Sequence, residues 1–75
     1  MLHEHNSLTL LGQNVRNRRS ELGLTQERLA DLAELDPTYI SGIERGVRNP
    51  SVLSLLKVAE ALETTIAKLC TGIQA

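Results

Sequence analysis

Glycine and proline punctuate this chain at short intervals, at Gly23, Pro37, Gly46, Pro50 and Gly72, and no long element of regular structure crosses those points undisturbed. Glycine readily takes the left-handed backbone that ends a helix, and proline has no N–H to give a helix interior. Between the breaks, apolar residues recur at helical spacing. Leu8, Leu11, Val15 and Leu22 fall on one stripe, so a first helix is predicted from Leu8 until Gly23 ends it. Thr25 then caps a second helix over Gln26–Ala33, with Leu29, Ala30 and Ala33 on its apolar side. Asp36 followed by Pro37 reads as a cap and a first helical position, where a missing N–H does no harm. The third helix therefore runs from Pro37 to about Arg45, burying Ile40 and Ile43. A fourth, capped by Asn49 or Ser51, reaches Leu62. Its apolar residues (Val52, Leu53, Leu55, Leu56, Val58, Ala59 and Leu62) cover a wide arc, which predicts a central place in the bundle. Thr64 or Thr65 opens a short fifth helix through about Cys70, with Ile66 and Leu69 on one side. The expected fold is all-α, a compact five-helix bundle. Residues 1–7 carry no periodic pattern and read as a flexible tail ahead of a domain over residues 8–75.

Seventy-five residues make one small domain, in which burial alone stabilises little and oligomerisation is a common remedy. Tyr39 is the only Phe, Tyr or Trp, so the core must be Leu, Ile, Val and Ala. Cys70 stands alone, which rules out an internal disulfide and suits a small buried hydrophobe. His3, Glu4 and His5 offer metal ligands, but nothing else completes a coordination shell, and neither metal nor cofactor is expected. No nucleophile motif or phosphate-cradling glycine loop appears, so no enzyme is expected. The lack of a membrane-length apolar run or a signal-peptide pattern implies a soluble cytoplasmic protein without a membrane partner. The net charge of −1 would not by itself suggest nucleic acid, but six of the eight basic residues lie in the first two-thirds of the chain.

Two helices joined by a tight turn over residues 26–45, the second opening with small polar residues, match the geometry of a DNA-binding helix-turn-helix. The segments Leu24-Thr25-Gln26-Glu27-Arg28-Leu29-Ala30, Tyr39-Ile40-Ser41-Gly42-Ile43-Glu44-Arg45-Gly46 and Arg48-Asn49-Pro50-Ser51 carry the resemblance. With them the chain resembles the Cro/phage-repressor (XRE-like) helix-turn-helix family, a lambda-repressor-like DNA-binding domain, from about Leu11 to Leu69. Its small size also resembles that of the controller proteins of restriction–modification systems. The resemblance implies a sequence-specific regulator that binds double-stranded operator DNA as a homodimer, as a repressor or autoregulator.

Carried onto this chain, the resemblance makes Gln26 a phosphate donor that also buttresses the recognition helix. Thr38 and Ser41 become readers of base edges through their hydroxyls. Pro37 and Gly42 occupy positions where relatives carry base-reading side chains, and neither has a side-chain hydrogen-bonding group. Readout then shifts to Thr38, Ser41, Arg45 and Arg48, with DNA shape supplying the rest. Tyr39 either reaches a phosphate or simply packs, and Arg45, Arg48 and Asn49 meet the backbone or a base beyond the helix. Arg19 and Glu44 are expected to form a partly buried salt bridge that orients the third helix. Arg16 and Arg18 remain as surface charges within reach of flanking phosphates. Leu55, Ile66, Leu69, Cys70 and Ile73 are expected to form the dimer interface. The acidic residues Glu27, Asp31 and Glu34 offer a surface for RNA polymerase. A reading from a different class, an antitoxin-like module that holds a partner protein, uses the same fold.

Overall fold

A computed structural model describes residues 3–74, with side chains from Asn6 onward, as five α-helices with no strand among the described residues. In order these are α1 (His3–Glu21), α2 (Gln26–Ala33), α3 (Pro37–Glu44), α4 (Val52–Ala61) and α5 (Ile66–Leu69). The last four open on side-chain caps that satisfy amides left without an intrahelical partner. Thr25 accepts from the Arg28 amide at 3.0 Å and Asp36 from the Thr38 amide at 2.7 Å. Ser51 accepts from the Ser54 amide and Thr65 from the Lys68 amide, each at 3.1 Å. Ser51 and Thr65, rather than Asn49 and Thr64, are thus the N-caps of α4 and α5.

The first helix begins earlier than its periodicity predicts. Residues 3–7, expected as tail, already belong to α1. Once nucleated, a helix adds residues at little further cost, and the Ser7 hydroxyl donates to the Gln74 carbonyl at 3.2 Å, tying this turn to the far end of the chain. Met1, Leu2 and Ala75 lie outside the described residues, as do the side chains of His3, Glu4 and His5.

The core is aliphatic. Leu11 and Val15 of α1 meet Leu29, Ala30 and Ala33 of α2, Ile40 and Ile43 of α3, Leu55, Val58, Ala59 and Leu62 around α4, and Leu69 of α5. Tyr39 packs only at its margin. α4 is not central as expected. One arc of it is buried, while Val52, Leu53 and Leu56 remain 69%, 72% and 44% exposed.

Two polar side chains of α1 hold the carboxyl-terminal helices. Asn14 Nδ2 donates to the carbonyls of Leu69 and Thr71, at 2.8 and 3.0 Å. Arg18 donates to the carbonyls of Leu62 and Glu63, at 2.9 and 3.3 Å. Carbonyls at helix C-termini have no intrahelical donor, and a cation also suits the negative end of the helix dipole. Arg18, expected as a surface charge for phosphate, is instead spent inside the fold.

Where α1 crosses α3, there is no room for a side chain on Gly12. A Cβ there would overlap the carbonyl oxygens of Ile43 and Glu44. The end of α3 is just as tight. Gly46 takes φ +75°, its amide donates to Ile43, and the Val47 amide donates to Gly42, each at 3.0 Å. This is the bonding pattern of a Schellman stop. A Cβ on Gly46 would also sit 2.9 Å from the Thr9 Cα, so both backbone angle and space require glycine.

Candidate nucleic-acid interface

The third helix is held on its inner side and open on its outer side. Ile40, Ile43 and Glu44 are buried. The Glu44 carboxylate accepts from Arg19 Nε at 2.6 Å through Oε2, and from Arg19 Nη2 and Gln26 Nε2, both at 3.0 Å, through Oε1. Arg19 also donates from Nη1 to the Leu24 carbonyl at 2.8 Å. The two charged side chains are 13% and 2% exposed, so the expected partly buried ion pair forms, with Glu44 its more deeply buried member. The hydrogen bonding that Arg19 donates to Glu44 is the main cause that holds the Arg19 guanidinium above its ordinary pKa, against the opposing effect of burial. One carboxylate thereby locks the helix to α1, to the start of α2 and to the turn between them. Gln26 fulfils the buttressing half of its expected role.

Along the outer side run Thr38, Ser41, Gly42 and Arg45, spaced i, i+3, i+4 and i+7 on a single helical stripe, with Gly42 itself buried. Thr38 and Arg45 are exposed, Ser41 half-buried, and Pro37 is exposed at the first position of the helix. Arg45 Nε lies 3.4 Å from Ser41 Oγ, a long contact that still directs the guanidinium along the stripe. Arg48, from the loop after the helix, is centred 5.3 Å from the Tyr39 ring, within cation–π range. Asn49 is exposed in the same loop. The structure therefore brings Thr38, Tyr39, Ser41, Gly42, Arg45 and Arg48 together around one helix, beside exposed Pro37 and Asn49.

The tight turn that precedes α3 relies on Glu34 in the left-handed region, at φ 58°, with its amide directed at the carbonyls of Ala30 and Asp31. The Leu35 amide closes the same turn onto the Ala30 carbonyl at 2.9 Å. On the exposed side of α2, Arg28 pairs with Asp31 at 2.9 Å.

The expected dimer interface requires correction at Leu55 and Leu69. Leu55 and Leu69 are 8% and 2% exposed and belong to the monomer core, so they have almost no area left for a partner. Ile66, Cys70 and Ile73 are half-buried against that core. The apolar area left uncovered lies instead on α4, at Val52, Leu53 and Leu56, with Leu32 of α2 and Val47 of the loop also exposed. Gly12 and Asn14 also escaped sequence reasoning. A glycine inside a helical pattern is itself a signal of close packing, and an Asn beside the buried Val15 is a signal of a polar partner.

Comparison with known proteins places the fold among helix-turn-helix proteins. The family model described as helix-turn-helix matches residues 15–69. The control protein C.SmaI of Serratia marcescens is 42% identical over 62 residues, covering 83% of this chain and 74% of the relative. Among solved structures, the restriction-modification controller protein C.AhdI of Aeromonas hydrophila superposes with a TM-score of 0.81 at 45% identity, over 83% of this chain and 94% of that one. The controller protein C.Esp1396I, solved as a tetramer in complex with its natural 35 base-pair operator, matches with a TM-score of 0.76 at 40% identity, over 83% of this chain and 82% of that one.

Proposed function

Because this chain belongs to the helix-turn-helix family, we propose that it is a sequence-specific, double-stranded DNA-binding transcriptional regulator of the control-protein kind. The observation that carries this reading is the row Thr38, Ser41, Gly42 and Arg45 on a helix whose opposite side is fixed by the buried Glu44–Arg19 pair. A helix entering the major groove must present short polar groups and cations to base edges while its orientation is held from behind. Gln26 spends one amide N–H on Glu44, and an amide carries two. The second serves a phosphate, which sets the register of α3 on the duplex.

The protein acts as a homodimer on a palindromic operator in the cytoplasm, with half-sites about one helical turn apart. The exposed arc of α4 supports a dimer surface centred on Leu53 and Leu56, and the half-buried Ile66, Cys70 and Ile73 of the α5 region contribute at its edge. Dimerisation makes operator occupancy depend steeply on the protein's own concentration, which suits a repressor or autoregulator. Activation through RNA polymerase is the weaker reading, because Arg28 offsets the charge of Asp31 on the acidic side of α2. Among the described residues no helix is long and apolar enough to cross a membrane.

The test is selection of bound duplexes from a randomised pool by the purified protein. A palindrome with two half-sites about one turn apart and a steep salt dependence is expected. Weak, sequence-blind binding would overturn the proposal.

A further inference from the structure

We propose that Gly42 is a specificity-determining position through what it lacks: its bare backbone is the track along which Arg48 crosses the recognition helix to reach the groove. The inference rests on the DNA-binding reading of this surface and names how one of its contacts is built.

Three observations meet at Gly42. The glycine is buried although it stands in the middle of the outer stripe, between Thr38 and Arg45. What fills the space before it is Arg48: a Cβ placed on Gly42 would lie 3.2 Å from Arg48 Cβ, 3.4 Å from Cγ and 3.5 Å from Nε. The Gly42 carbonyl also accepts from the amides of both Val47 and Arg48, at 3.0 and 3.2 Å, so the loop that carries Arg48 is anchored to the residue its side chain lies across. At the far end of that track, the Arg48 guanidinium stacks over Tyr39.

A side chain at position 42 would project from the helix itself. Here an arginine arrives from the loop, and its aliphatic stem lies where that side chain would stand. Arginine is among the side chains with the most rotamer entropy to lose on binding. Seating its stem on Gly42 and its head on Tyr39 removes part of that cost before DNA arrives, which is how preorganisation raises affinity. A guanidinium held in this way offers a planar fork to the O6 and N7 acceptors of guanine in the major groove. Gly42 and Tyr39 are positioning residues, and Arg48 makes the contact.

Gly42→Ala isolates the effect. The new methyl would stand 3.2 Å from Arg48 Cβ, so Arg48 must give way by a few tenths of an ångström. Alanine is the better helix former, which offsets that crowding, and the melting temperature is expected to change little. In the free protein Tyr39 is the only Phe, Tyr or Trp. Its ring current is therefore expected to shift the Arg48 side-chain proton resonances upfield, and the shift is expected to shrink in Gly42→Ala and vanish in Tyr39→Leu. With the duplex that the wild-type protein selects from a randomised pool, Gly42→Ala is expected to lose discrimination against a scrambled duplex by roughly 5- to 150-fold, the range for one bidentate base contact. In an Arg48→Ala background the same substitution is expected to change discrimination less than twofold.

Equal losses in the two backgrounds would show that Gly42 acts without Arg48 and would overturn the inference, as would an unshifted Arg48 spectrum in the free wild-type protein. Failure of the wild-type protein to discriminate between duplexes would instead remove the DNA-binding reading itself, and this inference with it.

Discussion

Arg19 reaches from the first helix to Glu44 on the third and binds both of its carboxylate oxygens, at 2.6 and 3.0 Å, in a pair with almost no solvent exposure. Removing one member leaves the other charged and buried without its counter-ion. Glu44→Ala is expected to destabilise the protein by about 3 kcal/mol or more, read from urea denaturation. Replacing both, as Arg19→Met with Glu44→Leu, is expected to restore most of that stability, because desolvation offsets much of the pair's attraction. The doubly substituted protein is nonetheless expected to bind its operator poorly, since nothing then fixes the angle of α3 or holds Gln26. Full operator affinity in the double variant would show that the pair does not orient the helix. The arginine side of the pair adds no pH dependence near neutrality. A group whose folded pKa is raised keeps its stabilising contribution at every pH below its ordinary value, and for arginine that covers the whole working range.

Gly12 should defy its helix propensity. Alanine in a helix interior is ordinarily better than glycine by up to about 1 kcal/mol. Here the added methyl overlaps the backbone carbonyls of Ile43 and Glu44, which are fixed at the end of the recognition helix. The expected result of Gly12→Ala is a loss of about 1–3 kcal/mol, the usual cost of overpacking, seen as a lower urea midpoint at unchanged m-value. An increase in stability would mean that α1 slides away from α3 without penalty.

The parts of this fold that were legible in the sequence are those specified by a few adjacent residues. Thr25 before α2, Asp36-Pro37 before α3 and Gly46 after it are local signals, and each marks the boundary it was expected to mark. The Arg19–Glu44 pair is not local and was legible only through resemblance to a family. What remained hidden depends on which neighbour occupies which side. The apolar residues of α4 fall on two arcs, and periodicity cannot tell that Leu55 and Val58 face α2 and the core while Leu53 and Leu56 face outward. Arg18 looks like any surface arginine until the ends of α4 are placed beside it. The turn through Glu34 carried no glycine to announce its left-handed backbone.

That placement of Arg18 changes which cations can meet DNA. Arg18 is occupied by the carbonyls of Leu62 and Glu63, and Arg19 by Glu44. Of the basic residues in the first two-thirds of the chain, Arg16, Arg28, Arg45 and Arg48 remain exposed. Every phosphate that a protein neutralises contributes about 0.9 to the slope of log affinity against log salt. Arg45→Gln is expected to flatten the slope by roughly that amount per protomer. Arg18→Gln is expected to leave it unchanged and to cost at most about 1 kcal/mol of stability, because the side chain is one-third exposed. Titrating the operator at four salt concentrations separates the two, and a flattened slope for Arg18→Gln would place that arginine on the DNA after all.

The uncovered arc of α4 makes the dimer surface testable without disturbing the fold. Leu53 and Leu56 are exposed, so Leu53→Glu and Leu56→Glu remove little from the core and are expected to leave the melting temperature of the monomer nearly unchanged. If this arc joins two protomers, a carboxylate there is desolvated against the partner and faces its own symmetry mate, since a two-fold interface presents the same patch from both sides. Sedimentation equilibrium is expected to show dimer for the wild-type protein and monomer for either variant. Operator binding is expected to weaken and to lose its cooperativity, while affinity for a single half-site persists. Leu55→Ala and Leu69→Ala are the contrasting pair. Both side chains lie in the core, so these substitutions are expected to cost about 2–5 kcal/mol of stability. Any loss of dimer in them would follow from unfolding. A Leu53→Glu protein that remains a dimer at wild-type strength would exclude this arc and move the search to Ile66, Cys70 and Ile73.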